Sequence, residues 1–394
     1  MAWLALPLAL LGHVALWLRF INHAHSFHFG CRPTRWLSRA AMTMMAGVPL
    51  LILGVDFTQW KLALLNGGWP QLSIWSTVYL GACLLGGTLA IAAWMVRKTV
   101  PKEPEPVQAN RKEMVNVQLA LGKRFQSKGP RHLFTKLPGN QVFHLEVIEK
   151  ELLVPRLPAA LDGLVIAHLT DLHFVGTVPI EFFAEAVRIA NSWSPDLVAI
   201  TGDLVDDSKY IDWVPETLGK LSARYGSYYV LGNHDLRIDF RRLRTTLADT
   251  GLVDLGGKTH QLEIGDSQLL LAGNERPWFG PAPFIQPKHQ SPENRPLRLV
   301  LSHSPDQFRW ARRHDFDLML AGHTHGGQIH FPGVGPLWSP THRGVTYSSG
   351  TFYKSPTIMH VSRGPSGLTP LRLNCAPELT KLVLRSPLAN ASPV

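Results

Sequence analysis

The sequence predicts an α/β layered domain preceded by an α-helical transmembrane region, and three observations carry that reading. Residues 74–96 form a long run without a charged side chain. After Gln141, apolar strand-like runs alternate with segments of helical spacing. Several of these runs end abruptly in short polar motifs built from Asp, Asn and His. The boundaries that follow are 1–98 for a membrane region of up to three spans, 99–140 for a basic linker, 141–385 for the α/β domain and 386–394 for a tail.

A chain of 394 residues has room for one large domain and a second region. The formal charge of +10 favours an anionic partner: a phosphorylated substrate, an acidic lipid surface or nucleic acid. Net charge does not choose among them. Cys31, Cys83 and Cys375 lie far apart and form no CxxC pair, which argues against a disulfide framework or a thiolate zinc site.

The run 74–96 is long enough to cross a bilayer, with Trp75, Tyr79 and Trp94 towards its ends, where aromatic rings suit the interface. Ala82, Gly86 and Ala90 make a small-residue stripe on which another helix can pack. The runs 3–18, which contains His13, and 40–55 are shorter candidates. Arg19, Arg32, Arg35 and Arg39 separate the first two runs, only Lys61 separates the next two, and Arg97, Lys98 and Lys102 follow the third. Three spans with an outside N-terminus satisfy the positive-inside rule and put the following domain in the cytoplasm. The first Arg follows the apolar run, so a cleaved signal is not expected. His23, His25 and His28 in "INHAHSFHFG" have no acid among them and read as loop histidines near headgroups. The Lys and Arg residues of 99–140 either lie against anionic lipid or are simply solvated.

Within the α/β domain, 143–154 reads as an entry strand, and 163–170 as a buried strand ending in "DLHF". A helix at 179–193 leads to a strand ending in the Gly-Asp turn of "PDLVAITGDLVDD". A helix is expected around 214–224, a strand and turn at 227–235, a helix at 238–249 and β segments around 252–273. Strand-to-turn units at 296–308 and 315–328 complete the set, with no internal repeat. The polar motifs supply Asp171 and His173, Asp203, Asn233 to Asp235, His303, and the pair His323 and His325. Loops at the carboxyl ends of strands converge on one crevice.

In extended backbone, residues i and i+2 point to one side about 6–7 Å apart. Asp171 with His173, and His323 with His325, therefore suit two cations held about 3.5–4 Å apart, each histidine of the second pair serving a different ion. Imidazole and carboxylate ligands suit zinc, iron or manganese. The lone Asp203 can bridge two cations, and Asn233 offers a neutral oxygen. Such a centre is net positive and attracts phosphate.

The ordered set "DLH", "GDLVDD", "GNHD", "SHSP" and "GHTHGGQ" resembles the calcineurin-like metallophosphoesterase family, and within it the bacterial membrane-associated branch. The resemblance covers roughly residues 160–365, with "VSRGPSG" at 361–367 as its late member. It implies a layered β-sandwich with flanking helices, and a metal-dependent hydrolase of phosphoric esters or pyrophosphates. It implies two divalent transition-metal ions (Mn, Zn or Fe), with Asp171, His173 and His325 on the first, Asp203 bridging, and Asn233, His303 and His323 on the second. It also implies that His234 contacts the phosphate or the leaving group, that Asp235 orients its ring, and that hydrolysis is in line by metal-activated water. Gly326, Gly327 and Gln328 either frame the phosphate or form a plain turn.

The expected protein is a multi-pass enzyme of a bacterial inner membrane whose substrate is a lipid-linked or other phosphorylated small molecule. Some members of the wider family cleave the pyrophosphate of UDP-diacylglucosamine, which makes that bond a candidate. The alternatives are a tethered broad-specificity phosphomonoesterase, phosphodiesterase or protein phosphatase, or a non-enzymatic membrane module, which the complete ligand set disfavours. No aromatic-and-basic module points to nucleic acid. Asp206 and Asp207 either support the ligands from behind or, as preferred, are solvated turn acids, and His168 reads as a core histidine. Trp278, Phe279, Phe284 and Trp338 either offer an apolar wall for acyl chains or, as preferred, are core aromatics. Glu275 and Arg276 either line the crevice or, as preferred, have no part in it.

Overall fold

The computed structural model of the protein describes residues 5–26, 31–67, 69–99, 103–128, 131–286 and 295–387. His28, Lys102 and the tail beyond 387 lie outside the described residues, as do the side chains of His25, Cys31, Arg32 and Arg35. The chain divides into two compact units, residues 1–102 with 340–344, and residues 103–339 with 345–394.

The first unit is helical: α1 (Ala5–Ser26), α2 (Cys31–Val55), α3 (Phe57–Asn66) and α4 (Ile74–Thr99). Three segments, Ala5–Ala24, Trp36–Val55 and Ile74–Thr99, are long and apolar enough to cross a membrane. Within the described residues, 5–18 of the first shorter run lies in a helix of 22 residues and 40–55 in one of 25. His23 belongs to α1 rather than to a loop. His13 is tolerated because both ring nitrogens are used: Nδ1 meets the Tyr79 hydroxyl at 2.6 Å and Nε2 the Met45 carbonyl at 2.7 Å, joining α1 to α4 and α2. The close helix approach is shifted by one residue from the expected stripe. Cys83 and Gly87 are buried while Ala82 is exposed, and a Cβ on Gly12 would overlap the Cys83 carbonyl.

The second unit stacks two mixed sheets. One has the order β1-β2-β15-β3-β4-β5-β6, from β1 (Val107–Asn116), β2 (His144–Leu153), β15 (Glu378–Arg385), β3 (Val165–Leu169), β4 (Leu197–Thr201), β5 (Ser227–Val230) and β6 (Val253–Asp254). The other has the order β13-β14-β10-β9-β8-β7, from β13 (Gly350–Lys354), β14 (Thr357–Val361), β10 (Leu318–Ala321), β9 (Leu297–Ser302), β8 (Ser267–Asn274) and β7 (Thr259–Ile264). Strands β3 to β6 run parallel, as do β8, β9, β10 and β14.

Strand alternation sorts the side chains into layers. Ile166, Ala199 and Val230 face Leu271, Leu299, Leu301 and Leu320 between the sheets. Their neighbours Ala167, Val198 and Tyr229 pack outward on Phe182 and Phe183 of α6 (Ile180–Ser192) and on Leu243 and Leu247 of α7 (Phe240–Asp249). On the far side Val300, Met319 and Met359 pack on Phe308 and Ala311 of α8 (Phe308–Arg313). The result is a sheet sandwich with flanking helices; α5 (Val117–Ala120) is a single turn.

Two expectations need correction. Part of the expected linker, Val107–Asn116, is an edge strand paired antiparallel with β2. Its Arg111, Lys112 and Glu113 hide the strand pattern, and charge of this kind protects an exposed edge. The helix expected around 214–224 is replaced by 3₁₀ turns at Ser208–Trp213 and Leu218–Lys220. Pro215 and Gly219 interrupt a helix there, and Gly219 lies against the Thr250 side chain with no space for a Cβ.

Candidate metal centre

The polar motifs meet at one end of the sandwich, where the carboxyl ends of β3, β4, β5, β9 and β10 open into loops. Asp171 and His173 follow β3, Asp203 follows β4, Asn233 to Asp235 follow β5, His303 follows β9, and His323 and His325 follow β10.

These loops are not extended, as the spacing argument assumed. Asp171, His173, Asp203, His323 and His325 all have φ between 49° and 72°, in the left-handed region. Non-glycine residues enter that region at a cost, and such outliers cluster at functional sites. The turns draw backbone N–H groups onto the acids: His323 N donates to Asp171 Oδ2 at 2.9 Å, and His234 N donates to Asp203 Oδ1 at 2.8 Å. The glycine ahead of His323 is required, because a Cβ on Gly322 would overlap Thr170 Oγ1 and the Asp171 carboxylate.

Two buried groups result. In the first, Asp171 Oδ1 lies 3.4 Å from His325 Nε2 and 3.8 Å from His173 Nε2, and the two imidazole nitrogens face each other at 3.2 Å. In the second, Asp203 Oδ2 lies 3.1 Å from His303 Nε2, which faces His323 Nδ1 at 3.1 Å. The groups adjoin, since Asp203 Oδ2 is also 3.6 Å from His173 Nε2. His323 and His325 therefore face different clusters, and each cluster offers at least three ligand atoms to one ion.

The donor set fits cations. His303 Nδ1–H donates to the Thr201 carbonyl at 2.7 Å and His173 Nδ1–H donates to Asp206 Oδ2 at 2.7 Å, so both rings aim Nε2 at the cluster. Asn233 Oδ1 is buried with no hydrogen-bond partner, a condition that costs free energy unless a ligand satisfies it. Electrostatics agree. Burial opposes ionisation of Asp171 and Asp203, but the surrounding histidines outweigh it and hold both carboxyls below the usual range. Burial keeps His323 and His325 neutral, each pushed down to about 3. His303 is pushed up to about 9: burial opposes its charge, but Asp203 and Asp171 prevail. The carboxylates draw positive charge inward, and a cation against the ring nitrogens meets the same demand as a proton.

Two expectations change. Asp235 does not touch the His234 ring; its carboxylate accepts the backbone N–H groups of Leu204, Val205 and Gly232 at 2.9–3.0 Å, and burial together with Asp203 pushes it up to about 7. It props the loops. The acid on the His234 ring is Asp206, only 5% exposed, which accepts from His234 Nδ1 and from His173. Its sequence signal was its place three residues after Asp203; a run of acids in a turn obscured it. Gly326, Gly327 and Gln328 lie in a tight turn in which the N–H groups of Gly327 and Gln328 donate to the Thr324 and His325 carbonyls at 2.8 and 3.1 Å.

Sequence reasoning also missed two supports. Arg372 is fully buried and donates to the carbonyls of His325 and Arg363 at 2.9 Å, fixing the His325 loop. Trp278 faces His303 and His323, with ring centroids 5.4 and 4.8 Å away. Glu275 has a structural role, accepting from Leu231 N and pairing with Arg244. His168 is the expected core histidine, with Nε2 on Thr201 Oγ1 at 2.9 Å.

The calcineurin-like phosphoesterase family model matches residues 164–327, the span that carries both clusters and Asn233. The chain is 33% identical over 224 residues to the phosphodiesterase YaeI of Escherichia coli (strain K12), covering 56% of this chain and 81% of that one. It is 29% identical over 256 residues to the metallophosphoesterase YkuE of Bacillus subtilis (strain 168), covering 61% and 86%. A zebrafish (Danio rerio) transmembrane protein with a metallophosphoesterase domain is 29% identical over 259 residues, covering 61% and 57%.

Proposed function

Because the chain belongs to the calcineurin-like phosphoesterase family and is a metal-dependent phosphoesterase, we propose that it is a membrane-bound dinuclear enzyme that hydrolyses a phosphate ester or pyrophosphate bond of a lipid-linked substrate. The observation that carries this reading is the pair of adjoining buried clusters, with ring nitrogens turned inward and Asn233 Oδ1 left without a protein partner.

In this reading Asp171, His173 and His325 would hold one divalent cation, Asn233, His303 and His323 would hold the other, and Asp203, which adjoins both groups, would serve both. Two such cations supply Lewis acidity, making water nucleophilic at neutral pH and neutralising charge on the phosphoryl oxygens. The nitrogen and oxygen ligands suit Mn, Zn or Fe. Asp206 positions both His173 and His234 through their Nδ1 atoms. That leaves His234 Nε2 to pass a proton to the departing oxygen. Arg372 keeps the His325 loop in place.

Three apolar helices support a lipid-linked substrate and a multi-pass protein of a bacterial inner membrane. The Lys and Arg distribution supports a cytoplasmic site. The Escherichia coli relative is named a phosphodiesterase, which favours a diester or pyrophosphate over a monoester. The test is the purified full chain in detergent, with and without chelator, against phospholipids, nucleotide-linked lipids and soluble diesters. Chelator-sensitive cleavage of a lipid phosphate is expected. Turnover of soluble diesters with no cleavage of any lipid phosphate would overturn the lipid reading and leave a tethered broad-specificity enzyme.

A further inference from the structure

We propose that the 3₁₀ turn His132–Lys136 with its flanks, and the hairpin of β11 (His330–Phe331) and β12 (Gly335–Pro336), form one lipid-contact face that rests on an anionic bilayer surface beside the metal centre. This deepens the lipid-substrate reading above by naming how the substrate's phosphate reaches the site.

The face combines apolar exposure with cations. Leu133 is 65% exposed and Leu137 44%, while in the hairpin Phe331 is 48% and Val334 45%. Exposed apolar side chains gathered in this way mark an interaction surface. Lys128, Arg131 and Lys136 stand among them on the surface. No Asp or Glu occurs from residue 117 to 140 or from 326 to 338. Apolar side chains interleaved with unopposed cations match an anionic headgroup layer, where ring and alkyl groups enter the interface and ammonium groups meet phosphates.

The two segments are parts of one surface. Residues 369–374 run between them: Arg131 donates to Thr369 Oγ1 at 2.6 Å and Asn140 Nδ2 to the Pro370 carbonyl at 2.8 Å, while His330 N donates to the Leu373 carbonyl at 2.9 Å. The same strip borders the metal-centre loops. Leu373 N donates to the Gln328 carbonyl, Arg372 holds the His325 carbonyl, and Lys128 N donates to the carbonyl of Gly176, three residues after His173. A bilayer resting here presents headgroup phosphates at the rim of the crevice.

The test uses the full chain in nanodiscs, in a Cys31→Ser background, since Cys83 and Cys375 are buried. An environment-sensitive fluorophore is placed at Leu133→Cys, at Val334→Cys and, as a control, at Asp266→Cys in the exposed β7–β8 turn. Shallow doxyl lipids are expected to quench the labels at 133 and 334 but not at 266 in discs rich in phosphatidylglycerol. Quenching is expected to fall in pure phosphatidylcholine and in a Lys128→Glu, Lys136→Glu variant. Equal quenching at all three positions, or equal quenching in both lipids, overturns the proposal. Energy transfer between labelled copies with no doxyl dependence overturns it in favour of a second copy of the chain. The readout needs neither metal nor turnover, so its failure leaves the metal-centre reading standing. Positive quenching with no cleavage of any lipid phosphate removes the substrate reading alone.

Discussion

His13 in the helical unit and His303 in the sheet unit are both buried, yet their ring nitrogens keep different company. Both nitrogens of His13 meet protein oxygens, Tyr79 on one side and Met45 on the other, so the ring acts as a tie between helices. His303 spends Nδ1 on the Thr201 carbonyl and turns Nε2 towards Asp203 and a second imidazole. A buried polar group with its partners supplied is structural; one aimed at other lone pairs asks for a cation. The difference separates a histidine that ties helices together from one placed where a cation could be held.

Substitutions sharpen that contrast, and the largest effect is expected at the clusters. Asp203→Asn or His325→Ala should lower chelator-sensitive diester turnover by roughly a thousandfold, with the circular dichroism of the folded chain unchanged. Retained turnover in both variants at saturating metal would dissolve the distinction. Next comes Arg372→Met, which strips the carbonyls of His325 and Arg363 of their donor. It should destabilise the sheet unit by about 3 kcal/mol, seen as a lower midpoint of thermal unfolding. Asp206→Asn should cost about 10–100-fold in turnover and weaken metal affinity, because it removes the acceptor that orients two rings. A metal titration beside a rate measurement checks both. The smallest effect is expected at the structural histidine. His13→Ala should cost about 1 kcal/mol of helix packing in detergent and leave metal content and turnover unchanged; a change in either would mean that His13 does more than tie helices.

The strands and the ligand motifs were legible because each is local. A buried apolar run followed by Asp, Asn or His marks a strand and its loop within about ten residues. What stayed hidden depends on long-range contacts. Nothing local distinguishes Asp206, which orients two rings, from Asp207, which caps the next turn through Lys209 N. Arg372 lies in "LRLN", where an isolated basic residue reads as surface; only the folded chain buries it against the His325 loop. The edge strand Val107–Asn116 was obscured by its own charges: Arg111, Lys112 and Glu113 are exposed, and Arg111 and Lys112 pair with Glu149 and Glu146 of β2, a match that only the folded sheet reveals. The left-handed backbone at five cluster positions had no residue-level signal at all, since Asp and His are ordinary strand-end residues until the loops tighten.

The most direct measurement is the number of divalent transition-metal ions bound per chain, taken by mass spectrometry on the purified full-length protein and on Asp203→Asn. Two ions per chain at full occupancy, with clear loss of bound metal in the variant, is the result that the proposed bridging role of Asp203 between adjoining clusters requires. A single ion per chain at full turnover, or the same content in both proteins, would contradict it.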